Sequence, residues 1–161
     1  MERYPILFGR HELIEGNGFI ARVEVSGRAL LSSDDGEEYW AEGINPGGFA
    51  GKGAGPGEAL ASFCEELRVV LFDIALDTSD FAAFKTEVER FFLETNQPAL
   101  REWEEAVNDV RDGKVSADWL MQRPADSPRG INVVLVRQPK AVNNQEGDGA
   151  AIAVPPKQEA A

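Results

Sequence analysis

The chain is expected to adopt an α+β fold, a three-stranded antiparallel meander packed by one long helix and followed by a helical hairpin and a further strand. Three stretches predict it. Asp34-Asp35-Gly36 separates two extended runs, one of the stronger short-range hairpin signals. Asn45-Pro46-Gly47-Gly48 ends the second run with the residue types that reverse a chain. From Pro56 to Asp77, Leu60, Phe63, Leu67, Leu71 and Ile74 recur at spacings of three and four, so one helical face is continuously apolar.

Taken in order, Tyr4, Ile6 and Phe8 alternate with Pro5, Leu7 and Gly9, which predicts a short strand that breaks at Gly9 before Arg10-His11-Glu12. Residues 19–33 form the first long strand, rich in β-branched and apolar side chains, with a bulge or bend expected at Ser26-Gly27. Residues 37–44 pair with it, and 48–53 form the third strand. Pro56 then opens the helix, where a residue without an N–H loses no needed donor. Between Leu67 and Leu76 only Arg68 and Asp73 interrupt the apolar surface, so this helix calls for cover on two sides, by later helices or by another subunit.

Ser79 or Asp80 caps the next helix, whose Phe81, Phe84, Val88, Phe91 and Phe92 make an aromatic stripe read as core. Asn96-Gln97-Pro98 starts another, with Leu100, Trp103, Val107 and Val110 on one side and Gly113 as its stop. The two compose a helical hairpin over about Asp80 to Asp112. A short helical turn is expected at Trp119, Leu120 and Met121, and Pro124 and Pro128 keep the next connection irregular. Ile131 to Arg137, a nearly unbroken apolar run, reads as a strand covered on both faces. From Gln138 onward the composition predicts a disordered tail, residues 138–161. Residues 1–137 are read as a single domain, with 79–113 as its helical extension.

The formal charge of −12, from 28 acidic and 16 basic side chains, disfavours attraction to phosphate backbones and favours protein partners, basic ones above all. One cysteine, Cys64, excludes an intrachain disulfide, and its apolar helical setting marks it as a small core residue. A reducing, cytoplasmic location fits that usage. The first sixteen residues are interrupted by charges and read as neither a secretory signal nor a membrane span.

Trp40-Ala41-Glu42, then Pro46-Gly47, then a glycine-containing strand, then Glu58-Ala59-Leu60 opening a helix, resembles the small domain of HicB-like antitoxins. The resemblance spans about Phe19 to Asp77, with the loop before Pro46 one residue short and the segment after Gly47 one residue long. It implies a three-stranded antiparallel sheet with a helix packed on it, acting as a protein-binding module and often as a dimer. Many members also carry a DNA-reading segment. Residues 79–113 hold nine acidic against four basic side chains, a net of −5, which disfavours direct nucleic-acid binding here.

Catalytic signatures fail on spacing. Gly47 leaves three residues before Gly51-Lys52, not the four of a phosphate-binding loop, and Gly53 follows where Ser or Thr is needed. The dinucleotide fingerprint meets Pro56 where its third glycine belongs. His11 is the only histidine, and Ser26, Ser32 and Ser33 lack the context of an activated nucleophile. One Cys and one His cannot make a usual zinc site, and Asp34-Asp35 with Glu37-Glu38 read as a solvated hairpin tip, not a cation loop. No catalytic residue, metal ligand or cofactor is therefore assigned.

The expected function is that of a non-enzymatic protein that restrains a partner, such as a basic toxin or nuclease, and forms a homo-oligomer. Two alternatives stand beside it, a structural subunit of a larger assembly and an acidic mimic of nucleic acid. The candidate partner-binding residues are Tyr39, Trp40 and Glu42 on the second strand, Phe49 and Lys52 after the turn, and Asp34, Asp35, Glu37 and Glu38 at the tip. Trp40 and Phe49 remain open to a second reading as core.

Overall fold

A computed structural model describes residues 1–120 and 129–138. The expected meander is present. Strand β2 (Phe19–Ser33) pairs antiparallel with β3 (Tyr39–Asn45), which pairs antiparallel with β4 (Gly47–Gly53). Before them comes β1 (Glu2–Gly16), fifteen residues that pair with the whole of β2, from Glu2↔Ser33 to Gly16↔Phe19. The expected break at Gly9 does not occur. Main-chain pairing is indifferent to side-chain charge, and β2 continues opposite Arg10, His11 and Glu12, which keep their ladder partners Val25, Glu24 and Val23.

The irregularity expected at Ser26-Gly27 lies one step later and on the other edge of β2, where the register to β3 shifts between Arg28 and Ala29. Strand β5 (Gly130–Arg137) pairs antiparallel with Ile20–Ser26 of β2, so β5 and β3 share that edge end to end. The expectation that β5 is covered on both faces is overturned: Val133 is buried, but Leu135 and Val136 are exposed. Among the described residues no helix reaches β5 on the second face, and on the first face Leu135, paired with Ala21, lies beyond Val133 toward the end of this edge strand.

Because successive strand residues face opposite sides, the odd-numbered residues of β2 define one sheet face and the even-numbered ones the other. The first face carries α1 (Pro56–Asp77) and α2 (Phe81–Leu93). Under the C-terminal half of α1 and under α2 lie Phe19, Ala21, Val23, Val25 and Val133 against Leu67, Leu71, Ala75, Phe84, Val88 and Phe92. Under the N-terminal half of α1 lie Tyr4, Ile6, Ala29, Leu31 and Ala41 against Ala59 and Phe63. The aromatic stripe of α2 is core, with Phe84, Val88 and Phe92 buried. Asp80 caps that helix, its carboxylate accepting from the Ala83 N–H at 2.9 Å.

Two helices occupy the range read as a hairpin, yet they part across the sheet. Helix α3 (Gln97–Arg111), capped by Asn96, lies on the second face, where Ala99, Trp103 and Ala106 close over Leu30 and Ile44 with Leu7 beside them. Each helix buries its stripe on the sheet, not on the other helix, giving a layer of two helices, a sheet and a layer of one. The linker is stitched to the sheet: Gly47 N–H donates to Glu94 O at 3.0 Å and Asn96 N–H to Ile44 O at 3.1 Å. After Gly113, at φ +76°, Val115, Ala117 and Leu120 return to the first face, and Trp119 meets Tyr4 edge-on at 4.9 Å. At the expected short helical turn Leu120 N–H bonds Ala117 O at 3.0 Å, closing a single turn over 117–120. Met121, Pro124, Pro128 and all of the expected tail except Gln138 lie outside the described residues.

Among the described residues no helix is long and apolar enough to cross a membrane.

Candidate interaction surface

Helix α3 covers the middle of the second face and leaves it open on either side, at the end that carries His11, Leu13 and Arg22 and at the end beside the β2–β3 hairpin. At the hairpin end, pairing register puts Ser32 of β2, Trp40 of β3 and Lys52 of β4 side by side, with Arg3 of β1 completing the row. In the next row Leu30 faces Glu42, and Glu42 faces Ala50. Leu30 is under α3, whereas Trp40 is 46% exposed, although an indole is among the largest apolar surfaces a chain can bury.

Trp40 is bracketed by charge. The Lys52 ammonium lies 5.3 Å from its ring centroid, within cation–π range, and 4.0 Å from a Glu38 oxygen. Glu38 and Glu42 stand two residues to either side of Trp40 along the chain, and Glu42 shares its face of β3, about 6.6–6.8 Å further on at the rise of a strand. Glu42 is held in place. Asn96 Nδ2 donates to it at 3.1 Å, while Asn96 Oδ1 accepts from Ala99 N–H at 3.2 Å to cap α3. The carboxylate therefore sits beside a helix N-terminus, where the backbone dipoles favour negative charge.

A buried hub fixes this linker. Asn45, before a cis bond to Pro46, accepts at Oδ1 from Arg28 Nε at 2.7 Å and from a second Arg28 nitrogen, and donates to Thr95 Oγ1 at 2.7 Å. The Arg28 guanidinium lies 5.2 Å from the Trp103 ring centroid. Burial, then the neighbouring Arg129, pulls its pKa down, with Glu104 opposing.

The predicted site residues are divided between two faces. Tyr39 and Phe49 point toward α1: Tyr39 packs on the cluster around Phe63, and Phe49 stacks on Phe63 with centroids 4.6 Å apart. Phe49 also meets Phe91 of α2 at 6.0 Å, so its ring is part of the helix–sheet packing. Trp40, Glu42 and Lys52 share the open second face. Asp34, Asp35, Glu37 and Glu38 are exposed at the tip of the β2–β3 hairpin, where Ser33 Oγ donates to Glu38 O and accepts from Gly36 N–H. Asp35 accepts from the Glu37 and Glu38 N–H groups, and those two bonds lower its pKa. Gly36 holds φ +76°, the left-handed conformation this turn requires.

Sequence reasoning missed one constellation. Glu12, with a side chain 7% exposed, accepts from Arg10 Nε at 2.8 Å and faces Arg68 Nε of α1 at 3.5 Å, while Arg68 also pairs with Glu65 and lies over the Phe72 ring. Carrying the Tyr4-Ile6-Phe8 alternation past Gly9 would have placed Arg10 and Glu12 on the inward face. Cys64 of α1 is half-buried beside this group, and burial raises its thiol pKa, with Arg10 opposing. His11 is exposed. Among the described residues no group of three or more His, Cys, Asp or Glu side chains is placed to hold a metal ion.

The chain matches no protein-family model, no curated protein and no solved structure.

Proposed function

We propose that this chain is a non-enzymatic, HicB-like protein-binding module that restrains a basic protein partner, such as a toxin or nuclease, through the hairpin end of its second sheet face. The observation that carries the proposal is Trp40, a half-exposed indole on a central strand, with Lys52 over its ring and Glu38 and Glu42 two residues to either side. Exposed aromatic side chains of this kind are enriched among residues that dominate binding energy. The order β2, β3, β4, α1 places Trp40-Ala41-Glu42 on a central strand and Glu58-Ala59-Leu60 in the first turns of the helix packed on it, as the resemblance implies. The net charge of −12 would speed encounter with a basic partner.

Affinity capture from the native host, followed by binding kinetics, tests it. Trp40→Ala should raise the dissociation rate of the captured partner with no loss of thermal stability. Replacing Asp34, Asp35, Glu37 and Glu38 by Asn and Gln should lower the association rate, an effect that fades as salt shortens the Debye length from ~10 Å at 0.1 M to ~3 Å at 1 M. A partner bound equally well by the Trp40→Ala protein would refute this surface.

One observation favours a second reading, as a subunit that joins copies of itself or other proteins. Val69 and Leu76 of α1 are 43% and 71% exposed, leaving part of the apolar surface between Leu67 and Leu76 uncovered. Light scattering across protein concentration separates the readings: a discrete species that still takes up one partner supports restraint, and open-ended association supports assembly.

A further inference from the structure

We infer that Trp40 and Glu42 form a seat for an arginine side chain of a basic protein segment, a seat that Lys52 occupies in the free protein. The inference rests on the proposed function and specifies the chemistry its partner brings. A cation is already on the indole: the Lys52 ammonium, 5.3 Å from the ring centroid, belongs to the same chain and demonstrates what that ring accepts. Its hold is weak. The Glu38 contact is 4.0 Å long, both side chains are more than half exposed, and such surface pairs contribute little.

Arginine fits the seat better than lysine does. A planar guanidinium can lie flat on an indole and still direct its N–H groups in-plane toward a carboxylate, which a compact ammonium cannot do. Glu42 supplies that carboxylate: it is the next residue on the same face of β3, a backbone rise of about 6.6–6.8 Å from Trp40, and Asn96 orients its side chain at 3.1 Å. The other arginine near this row, Arg3, is engaged by Glu105 of α3 at 3.3 Å. A nucleic-acid base could stack on the same ring, but Glu38 and Glu42 beside it would meet its phosphates with like charge.

The test uses the full chain and three short peptides of equal length, built on arginine, on lysine and on citrulline, the last having arginine's shape without its charge. Binding is followed through the indole N–H resonance of Trp40, assigned with Trp40→Phe. The arginine peptide should shift that resonance and bind about two- to fivefold tighter than the lysine peptide, the effect of one added exposed charge-assisted contact to Glu42, and the citrulline peptide should not bind measurably. Glu42→Gln should weaken the arginine peptide. Lys52→Met should tighten it more than Arg111→Met does, a substitution that removes the same charge from the far end of α3. Equal binding of arginine and citrulline peptides, shifts that bypass Trp40, equal effects of Lys52→Met and Arg111→Met, or a stronger response to single-stranded RNA would each overturn the inference. A captured partner that requires Trp40 but is not displaced by the arginine peptide would refute the arginine seat alone and leave the proposed function standing.

Discussion

The Phe63 nitrogen of α1 passes so close above Gly51 of β4 that a methyl group on Gly51 would lie 2.2 Å from it, and 2.6 Å from the carbonyl carbon of Ser62. Helix backbone and strand backbone are here in direct contact, and this approach brings Phe63 down onto Phe49 and Ala41. Gly51→Ala cannot be absorbed by a side-chain rotation, because both obstructing atoms are main chain. Urea denaturation should show a loss of about 1–3 kcal/mol or more. Gly57→Ala in the first turn of the same helix meets nothing within 4 Å and should hold or raise stability by up to ~1 kcal/mol.

Glu12 should behave as the keystone of a charge cluster. Removing its carboxylate takes the partner from Arg10 and leaves Arg68 with Glu65 alone, both guanidiniums being partly in water, so Glu12→Ala should cost about 1–3 kcal/mol, below the full penalty for an isolated buried charge. In a double-mutant cycle, Arg10→Met should be markedly less costly in the Glu12→Ala background. Additive effects would mean that the two side chains do not interact in solution.

Tyr4 provides a pH dependence of known sign. Burial, then its hydrogen bond to Glu2 at 2.6 Å and the charge of that carboxylate, push its pKa from 10.0 up to about 12. The unfolded chain ionises first as pH rises. The stabilisation linked to neutral Tyr4 is therefore complete below pH 10 and lost as pH climbs to about 12. The stability advantage of the native protein over Tyr4→Phe should shrink across that interval. A constant difference would show that Tyr4 titrates as it does in the unfolded chain.

Leu71 and Leu76 occupy one helix, and burial separates them. Leu71 is 1% exposed, and Leu71→Ala should cost about 2–5 kcal/mol; Leu76 is 71% exposed, and Leu76→Ala should stay within about 0.5 kcal/mol. If Leu76→Ala is costly only at high protein concentration, that side of α1 is buried between subunits.

Cys64 should be a slow thiol. Burial raises its pKa, so little thiolate is present at neutral pH, and alkylation by iodoacetamide should lag well behind a free cysteine and accelerate when the chain is unfolded. Native-state labelling at the rate of a free thiol would place Cys64 in open water.

What the sequence determined by itself was local. Asp35-Gly36 and Asn45-Pro46-Gly47 set the two turns of the meander, the spacing from Phe63 to Leu71 set the buried stripe of α1, and Asp80 and Pro98 set the starts of α2 and α3. Each of these signals is complete within a few residues, because turn chemistry, helical spacing and capping depend on neighbours along the chain. The tertiary structure decided everything that required knowing what lies opposite. Arg10 and Glu12 remain in strand because β2 offers ladder partners and Arg68 descends from α1. The two later helices lie on opposite faces because their linker is anchored to the sheet by two bonds between residues far apart in the chain, Gly47 N–H to Glu94 O and Asn96 N–H to Ile44 O. The candidate surface divides by the same rule: Tyr39 and Trp40 are adjacent in sequence, but the pleat sends one under α1 and the other to the face where α3 stops short, and only the placement of α3 leaves that indole in water.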